Sequence, residues 1–147
     1  MKSGLLILLL FAAGCTKKSN LSEVPKITFK SLNPQVLRAG SSTDATLISF
    51  TFEDGDGDIG FGTRNLYLID SRDSNEVAMI IPTVPKEYSP DKGLKGTIEI
   101  IYLAAWLSLR PDTNHLTKDT MRWKIYMKDE AGHVSNEIYT DSLYLFK

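Results

Sequence analysis

The sequence predicts an all-β protein, an immunoglobulin-like antiparallel β-sandwich of about seven strands. Short runs rich in β-branched and aromatic residues alternate with clusters of Gly, Pro, Asn and Asp, a pattern typical of strands separated by turns. Several runs alternate apolar and polar residues, and no stretch keeps the period of a helix. Seven short strands in about 120 residues favour a sandwich, and a β-barrel is the main alternative.

The predicted strands follow one another from Lys26 onward. In the first, an edge strand, Ile27 and Phe29 alternate with polar residues, and a long connection, Asn33–Asp44, comes after it. Further strands are predicted at Ala45–Glu53, Arg64–Asp70, Glu76–Pro82, Gly96–Leu103, Met121–Asp129 and Asn136–Phe146. Residues 85–93 are predicted to be a loop.

Two of these strands carry predictions about the core. Gly96–Leu103 is nearly all apolar, so we expect it at the centre of a sheet. Met121–Asp129 alternates most regularly, and its apolar positions share one face: Met121, Trp123, Ile125 and Met127. We therefore expect Trp123 to be buried.

The N-terminus has the three regions of a secretory signal. Lys2 supplies positive charge, Leu5–Ala13 is an unbroken apolar run, and small residues directly precede Cys15. The run makes about 14 Å of helix against a bilayer core of roughly 30 Å, so it is too short to span a membrane. A cysteine directly after small residues resembles a lipobox, although Ala12 stands where that motif more often has Leu.

This interpretation divides the chain into residues 1–14, a signal peptide; residues 15–25, a lipidated N-terminus and linker; and residues 26–147, the sandwich domain. Several acyl chains on Cys15 would give a stable membrane anchor. Cys15 is the only cysteine, so an internal disulfide is excluded. The alternative is a secreted protein whose cysteine falls here by chance.

With 17 basic and 18 acidic residues in the whole chain, no basic surplus indicates nucleic-acid binding.

The segment after the second predicted strand is acidic and rich in glycine. Residues 53–60 contain four acids within a few positions, alternating with glycines that permit positive φ, so that carboxylates two residues apart can converge. Ca²⁺ takes about six to eight oxygens from carboxylates and carbonyls, so we predict a structural Ca²⁺ site at Asp54, Asp56 and Asp58. A solvated turn is the alternative, since Asp-Gly pairs are ordinary turn formers.

The predicted topology supplies further ligands for this site. In an immunoglobulin-like sandwich, the loop after the second strand and the loop between the last two strands lie at the same end. The second of these loops is Asp129–Asn136, so Asp129, Glu130 and Asn136 are candidate partners. Asp129 is the best placed of the three, and it completes the predicted metal site.

No pattern in the sequence indicates an enzyme. The two histidines, His115 and His133, lie outside any metalloprotease motif, and we expect both to be exposed loop residues. No nucleophile elbow, P-loop or Rossmann fingerprint is present. Aromatic residues could stack on sugars if several share a face, the candidates being Tyr67, Tyr88, Tyr102, Trp106, Tyr126 and Tyr139.

Two segments, Phe50–Gly60 and Lys128–Asn136, resemble small uncharacterised lipoproteins of Bacteroidota. The second is also similar to the last hairpin of many bacterial immunoglobulin-like and cadherin-like domains. The resemblance implies a fold and a cellular address rather than an activity. In that group, acids directly after the lipidated cysteine favour display on the cell surface. Here no acid precedes Glu23, which implies the outer membrane with the domain facing the periplasm.

These observations together predict a membrane-anchored lipoprotein with a non-catalytic binding or scaffold domain, whose partner is another protein of the cell envelope. The alternative is a carbohydrate-binding accessory lipoprotein of a glycan-uptake system. A cluster of exposed aromatic side chains would favour glycans, whereas a flat apolar edge would favour a protein partner.

Replacing Cys15 by Ser should leave the chain without lipid, because that thiol is the only one in the sequence that could accept a diacylglyceryl group. We expect the Cys15→Ser chain to leave the membrane pellet and to incorporate no clickable fatty-acid analogue in growing cells. Ser19→Ala is the matched control and should label like the unaltered chain. Full labelling of Cys15→Ser would contradict the anchor.

Overall fold

A computed structural model describes residues 20–60, 62–84, 93–111 and 117–147. The predicted signal peptide, Cys15, and residues 85–92 of the predicted loop lie outside this part of the chain. Within it the protein is all-β, as the sequence predicts, with one short 3₁₀ helix at Ala104–Trp106. The strands are β1 (Lys26–Asn33), β2 (Val36–Arg38), β3 (Ala45–Asp54), β4 (Arg64–Asp70), β5 (Glu76–Ile80), β6 (Leu94–Leu103), β7 (Lys118–Met121), β8 (Trp123–Met127), β9 (Ile138–Tyr139) and β10 (Leu143–Phe146).

Three sheets enclose one hydrophobic core. Their strand orders are β1–β3–β6, β5–β4–β8–β9 and β2–β10–β7. Neighbouring strands pair antiparallel except β2 and β10, which are parallel. Buried side chains from all three sheets meet in a single cluster, which is the arrangement of a β-sandwich.

The connection predicted at Asn33–Asp44 contains a strand that sequence analysis missed. In β2, Leu37 is buried and lies opposite Leu145 of β10. Three residues are too few for an alternating pattern to show, so β2 depends on its partner strand rather than on a local signal. The chain reaches it through a cis peptide bond between Asn33 and Pro34.

The prediction that Gly96–Leu103 is a central strand is wrong. Within the described residues, β6 pairs only with β3 and lies at the edge of its sheet. Its apolar character has two sources: Ile100 and Tyr102 point into the core, while Ile101 is 68% exposed. Composition alone therefore could not distinguish a strand buried on both faces from an edge strand with apolar residues on its outer face.

Two strands predicted as continuous are each interrupted. The predicted strand at Met121–Asp129 lies in β7 and β8, which are separated at Arg122, where the amide donates to Ser71 Oγ at 2.9 Å. The predicted strand at Asn136–Phe146 is divided into β9 and β10. Next to that break, the Trp123 amide donates to Thr140 Oγ1 at 3.1 Å. Side chains from residues just after β4 and β9 accept from these backbone amides, which a single-sequence pattern does not reveal.

The core confirms the predicted face of β8. Trp123 is 2% exposed and its ring lies 4.9 Å from that of Tyr102, so the indole joins β8 to the opposite sheet. Met127 and Ile125 are likewise fully buried on the same side. A register shift of one residue would have placed the intervening polar side chains in the core, so the alternation identified the register correctly.

An ionic network closes the end of the sandwich where β4 finishes. The Arg72 guanidinium donates to Asp70 Oδ2 at 2.7 Å and to Asp119 Oδ2 at 3.1 Å, and Arg110 donates to the other Asp119 oxygen at 2.7 Å. Burial opposes ionisation of Asp119, but hydrogen bonds from Arg110 outweigh it and hold the pKa of that carboxyl well below its usual range. Removing either arginine would leave a buried carboxylate with fewer partners.

Replacing Trp123 by Ala should lower the free energy of unfolding by about 3–5 kcal/mol, because it removes the largest fully buried side chain and leaves a cavity. Urea titration of the full chain measures the loss. Trp106→Ala is the matched control, since Trp106 is 61% exposed and should lose well under half as much. Equal losses in the two variants would contradict the packing described here.

Candidate metal centre

The acidic loop begins where β3 ends, at Asp54. Two of its glycines, Gly55 and Gly57, are required for different structural reasons. Gly57 has φ of 72°, the left-handed region that the sequence analysis expected. Gly55 is needed for close approach instead: a Cβ there would lie 2.5 Å from the Leu21 carbonyl oxygen and 2.6 Å from that of Ser22. The Gly55 amide donates to the same Ser22 oxygen at 2.7 Å. The loop is therefore folded against the N-terminal segment.

The structure brings together the four carboxylates that the sequence singled out. Asp54, Asp56, Asp58 and Asp129 each offer an oxygen, and these oxygens lie within 4.8 Å of one another. The first three come from the end of β3 and the following loop, while Asp129 comes from the chain just after β8. Asp54 and Asp129 are buried, Asp58 is half-buried and Asp56 is exposed, so the cluster opens to solvent on one side.

Several oxygens in this cluster have no hydrogen-bond partner. Both Asp54 oxygens and Oδ1 of Asp58 are buried and unpaired within the part of the chain that the structure describes. The other Asp58 oxygen accepts from the Ala131 amide at 2.9 Å, and Asp129 Oδ1 accepts from the His133 amide at 2.7 Å. Buried polar atoms in folded proteins are nearly always paired, so three unpaired carboxylate oxygens facing like charges favour the binding of a proton or a cation.

The same crowding alters proton binding. Burial, followed by the charges of Asp56, Asp58 and Asp129, raises the pKa of Asp54 to about 7. Burial also raises the pKa of Asp58. A proton or a cation is therefore the alternative occupant that relieves the same repulsion.

The other two candidate ligands, Asn136 and Glu130, lie outside the cluster of carboxylates. Asn136 is not in the cluster: its Oδ1 accepts from the Ile27 amide at 2.8 Å and its Nδ2 donates to the Ile27 carbonyl at 2.9 Å. Its amide group thus joins the last hairpin to β1. Glu130 is exposed and is absent from the group of converging carboxylates. Of the three candidate partners, Asp129 is the one that lies among the converging carboxylates.

His133 makes a contact with the acidic cluster that the sequence analysis missed. It was expected to be an exposed loop histidine, and the structure places its Nδ1 2.8 Å from Asp129 Oδ2. The hydrogen bond to Asp129, with its charge, raises the pKa of His133. The available signal was the four-residue spacing of Asp129 and His133 across a tight turn at Gly132, which has φ of 91°. His133 orients the carboxylate of Asp129 toward the cluster.

Ligand chemistry narrows the metals that could fit. All four converging groups are carboxylates, and His133 turns Nδ1 to Asp129. Hard oxygen donors without sulfur or free imidazole suit Ca²⁺, Mg²⁺ or Mn²⁺ rather than Zn²⁺ or copper. Ligands from a flexible glycine loop and a separate hairpin favour Ca²⁺, because Mg²⁺ demands a tight octahedral geometry.

The aromatic candidates do not form one platform. Tyr67 and Tyr126 stack on each other at 4.7 Å, which covers one face of each ring. Tyr102 is buried against Trp106 and the core, and Tyr139 lies apart on the outer face at 56% exposure. Tyr88 and the second predicted histidine, His115, lie outside the described residues.

Comparison with known proteins leaves the site without a named counterpart. No protein family model matches the chain, and no curated protein matches it. The X-ray structure of Northeast Structural Genomics Consortium target SoR45 is similar at 15% identity over 86% of this chain and 89% of that one, with a TM-score of 0.31. Among the described residues, no helix is both long and apolar enough to cross a membrane.

In the presence of chelator, the domain should lose stability as the pH rises from about 4 to about 7. The raised pKa of Asp54 means that its contribution is fully present below the unfolded value of 3.8 and disappears as the pH passes through the folded value of about 7. The raised pKa values of Asp58 and His133 act in the same direction. Urea titrations across this range measure the slope.

The variant Asp54→Asn is the control for that measurement, because it keeps the shape of the side chain and removes its charge. We expect most of the slope between about pH 4 and pH 7 to be lost in this variant. A chelated wild-type domain whose stability rises over the same range would contradict the electrostatic account of the cluster.

Proposed function

We propose that the chain is an exported lipoprotein whose immunoglobulin-like sandwich is a non-catalytic binding or scaffold domain stabilised by Ca²⁺ at Asp54, Asp56, Asp58 and Asp129. The observation that carries the calcium site is the pair of buried, unpaired Asp54 oxygens among three other carboxylates. Burying an uncompensated carboxylate is strongly unfavourable, and a divalent cation supplies both the charge and the coordination that this arrangement lacks.

Strand pairing supports the immunoglobulin-like assignment. β1 pairs antiparallel with β3, whereas β2, which follows it, pairs in parallel with β10 of another sheet. The N-terminal strand thus switches from one sheet to the other, as strands at the corners of sandwiches do. The loop after β3 and the loop after β8 meet at one end, in agreement with the topology on which the choice of Asp129 depended.

Calcium at this position would act on three segments at once. The acidic loop and the loop after β8 would both supply ligands, and the acidic loop is itself hydrogen bonded to Ser22 in the N-terminal segment. A cation bound only by the native arrangement stabilises it by mass action. The proposed role of the metal is therefore structural, since its ligands would tie together segments that are distant in the sequence.

The proposed location is the periplasmic side of the outer membrane. It rests on the apolar run before Cys15 and on the basic and uncharged residues that follow it. Three acyl chains at Cys15 would hold the domain at the membrane surface, where a scaffold domain meets envelope proteins or glycans. The proposed location and the proposed calcium site rest on separate observations, so an experiment that refutes one leaves the other unaffected.

Addition of Ca²⁺ should raise the melting temperature of the full chain above that measured with chelator. Extracellular sites bind with Kd of about 10⁻⁴–10⁻³ M, so about 20 mM Ca²⁺ should approach saturation. At a hundred times Kd the gain is about 2.7 kcal/mol, which corresponds to a rise on the order of 10 °C. Differential scanning calorimetry measures both states.

Asp56→Ala, which removes the exposed ligand, should abolish most of the Ca²⁺ response and slightly raise the melting temperature of the chelated form by relieving repulsion. Asp73→Ala is the matched control: this exposed acid lies outside the cluster and should leave the response intact. Identical melting curves of the unaltered chain in Ca²⁺ and in chelator would refute the calcium site.

A further inference from the structure

A shallow groove crosses the outer face of the sandwich where β9 gives way to β10. It encloses about 510 Å³ and is separate from the metal cluster. Its lining residues come from three distant parts of the chain and are mostly polar: Gln35, Arg122, Tyr139, Thr140, Asp141, Ser142 and Tyr144. The groove exists because both strands on this face are interrupted, β7–β8 at Arg122 and β9–β10 after Tyr139.

Two partly exposed tyrosines line the groove. Tyr139 lies opposite Lys124 and is 56% exposed, and Tyr144 lies opposite Thr120 and is 49% exposed. Thr120 and Lys124 lie on the two sides of the break at Arg122, so the tyrosines come from different sheets. Two aromatic side chains in one groove of about 510 Å³ can contact more than one sugar ring, which suits a short oligosaccharide. Each exposed ring offers an apolar surface beside a hydroxyl group.

The other lining side chains are polar, and within the described residues they use only part of their hydrogen-bonding capacity. Gln35 Nε2 donates to Asp141 Oδ2 at 3.2 Å, and Arg122 Nε donates to Ser142 Oγ at 3.1 Å. These bonds hold the planar groups in place and use only part of what they offer. A guanidinium has four further N–H donors and a carboxylate has a second oxygen, and within the described residues none of these is engaged by another side chain.

From this arrangement we infer that the groove binds a neutral oligosaccharide, with Tyr139 and Tyr144 contacting the ring faces and Arg122, Asp141 and Gln35 contacting the hydroxyls. The inference rests on the binding role proposed above and names its ligand class. One cationic and one anionic side chain line the groove, so the lining has no net charge and does not select a charged ligand. Donors and acceptors beside two tyrosine rings match a molecule with hydroxyls at its edges and C–H groups on its faces.

The groove fits a protein surface less well. Cores of protein interfaces are depleted of charged residues and are rich in apolar contacts, whereas the floor here is formed by amide, hydroxyl, guanidinium and carboxylate groups. The stacked Tyr67–Tyr126 pair on the same outer face presents rings that are each covered on one face, and it lies outside the groove. That pair supplies a matched control, since removing Tyr67 takes an aromatic residue from the same face without touching the groove.

The test uses the full chain in detergent and a panel of neutral hexasaccharides: cellohexaose, xylohexaose, mannohexaose, maltohexaose and chitohexaose. Isothermal titration calorimetry should detect binding of at least one member. Tyr139→Ala and Tyr144→Ala should each weaken that binding by about tenfold or more, and Arg122→Ala should weaken it as well. Tyr67→Ala should change it by less than about twofold.

Two results would overturn the inference: no binding of any panel member, or binding that both tyrosine variants leave unchanged. Photocross-linking from Tyr144 to another envelope protein, without sugar binding, would likewise overturn it and assign the groove to a protein partner. Circular dichroism establishes that each variant is folded. Titrations are run in Ca²⁺ and in chelator, so sugar binding that persists in chelator separates this inference from the calcium site, and fatty-acid labelling tests the anchor independently.

Discussion

The burial of the Asp54 carboxylate constrains one whole end of the sandwich. Asp54 is the last residue of β3, so its backbone is held by the neighbouring strands and its side chain cannot swing out to solvent. Asp58 is fixed by the Ala131 amide, and Asp129 by His133. Three carboxylates are thus aimed at one small volume by bonds that the loop would lose if it relaxed. Like charges held this way store repulsion that only a proton or a cation removes.

At the opposite end of the sandwich, buried acids are paired with arginine side chains of the same chain. There Arg72 lies between Asp70 and Asp119 and donates to both carboxylates. The two ends therefore respond to protons in opposite ways. Acidification weakens the arginine network, because it protonates Asp119, whose charge pairs with Arg72 and Arg110. It relieves the Asp54 cluster instead, because there it removes charge that has no countercharge. The two ends therefore differ in one respect: within the described residues, no arginine or lysine pairs with the four carboxylates of the acidic end.

How much of this could be read from the sequence depended on whether the signal was local. The spacing of Asp54, Asp56 and Asp58 is local, and the addition of Asp129 required only a topological rule, so the whole cluster was predictable. The alternation around Trp123 likewise identified the core face of β8. β2 and the edge position of β6 were not predictable, because both depend on which strands pair. The same holds for the groove, whose lining joins Gln35 to residues more than a hundred positions away.

The N-terminal segment is bonded to the acidic end of the sandwich. The Ser22 carbonyl accepts a hydrogen bond from the Gly55 amide. Five residues further along the same segment, the amide and carbonyl of Ile27 are both hydrogen bonded to the Asn136 side chain. The segment that leads from the linker into β1 is therefore attached to both loops that carry the carboxylates. Any side chain at position 55 would collide with the Leu21 and Ser22 carbonyls and displace this segment. A cation that fixes the acidic loop would thus also fix the direction in which the linker leaves the domain. In a protein tethered through that linker, the direction of departure determines which face of the sandwich turns toward the membrane and which stays accessible.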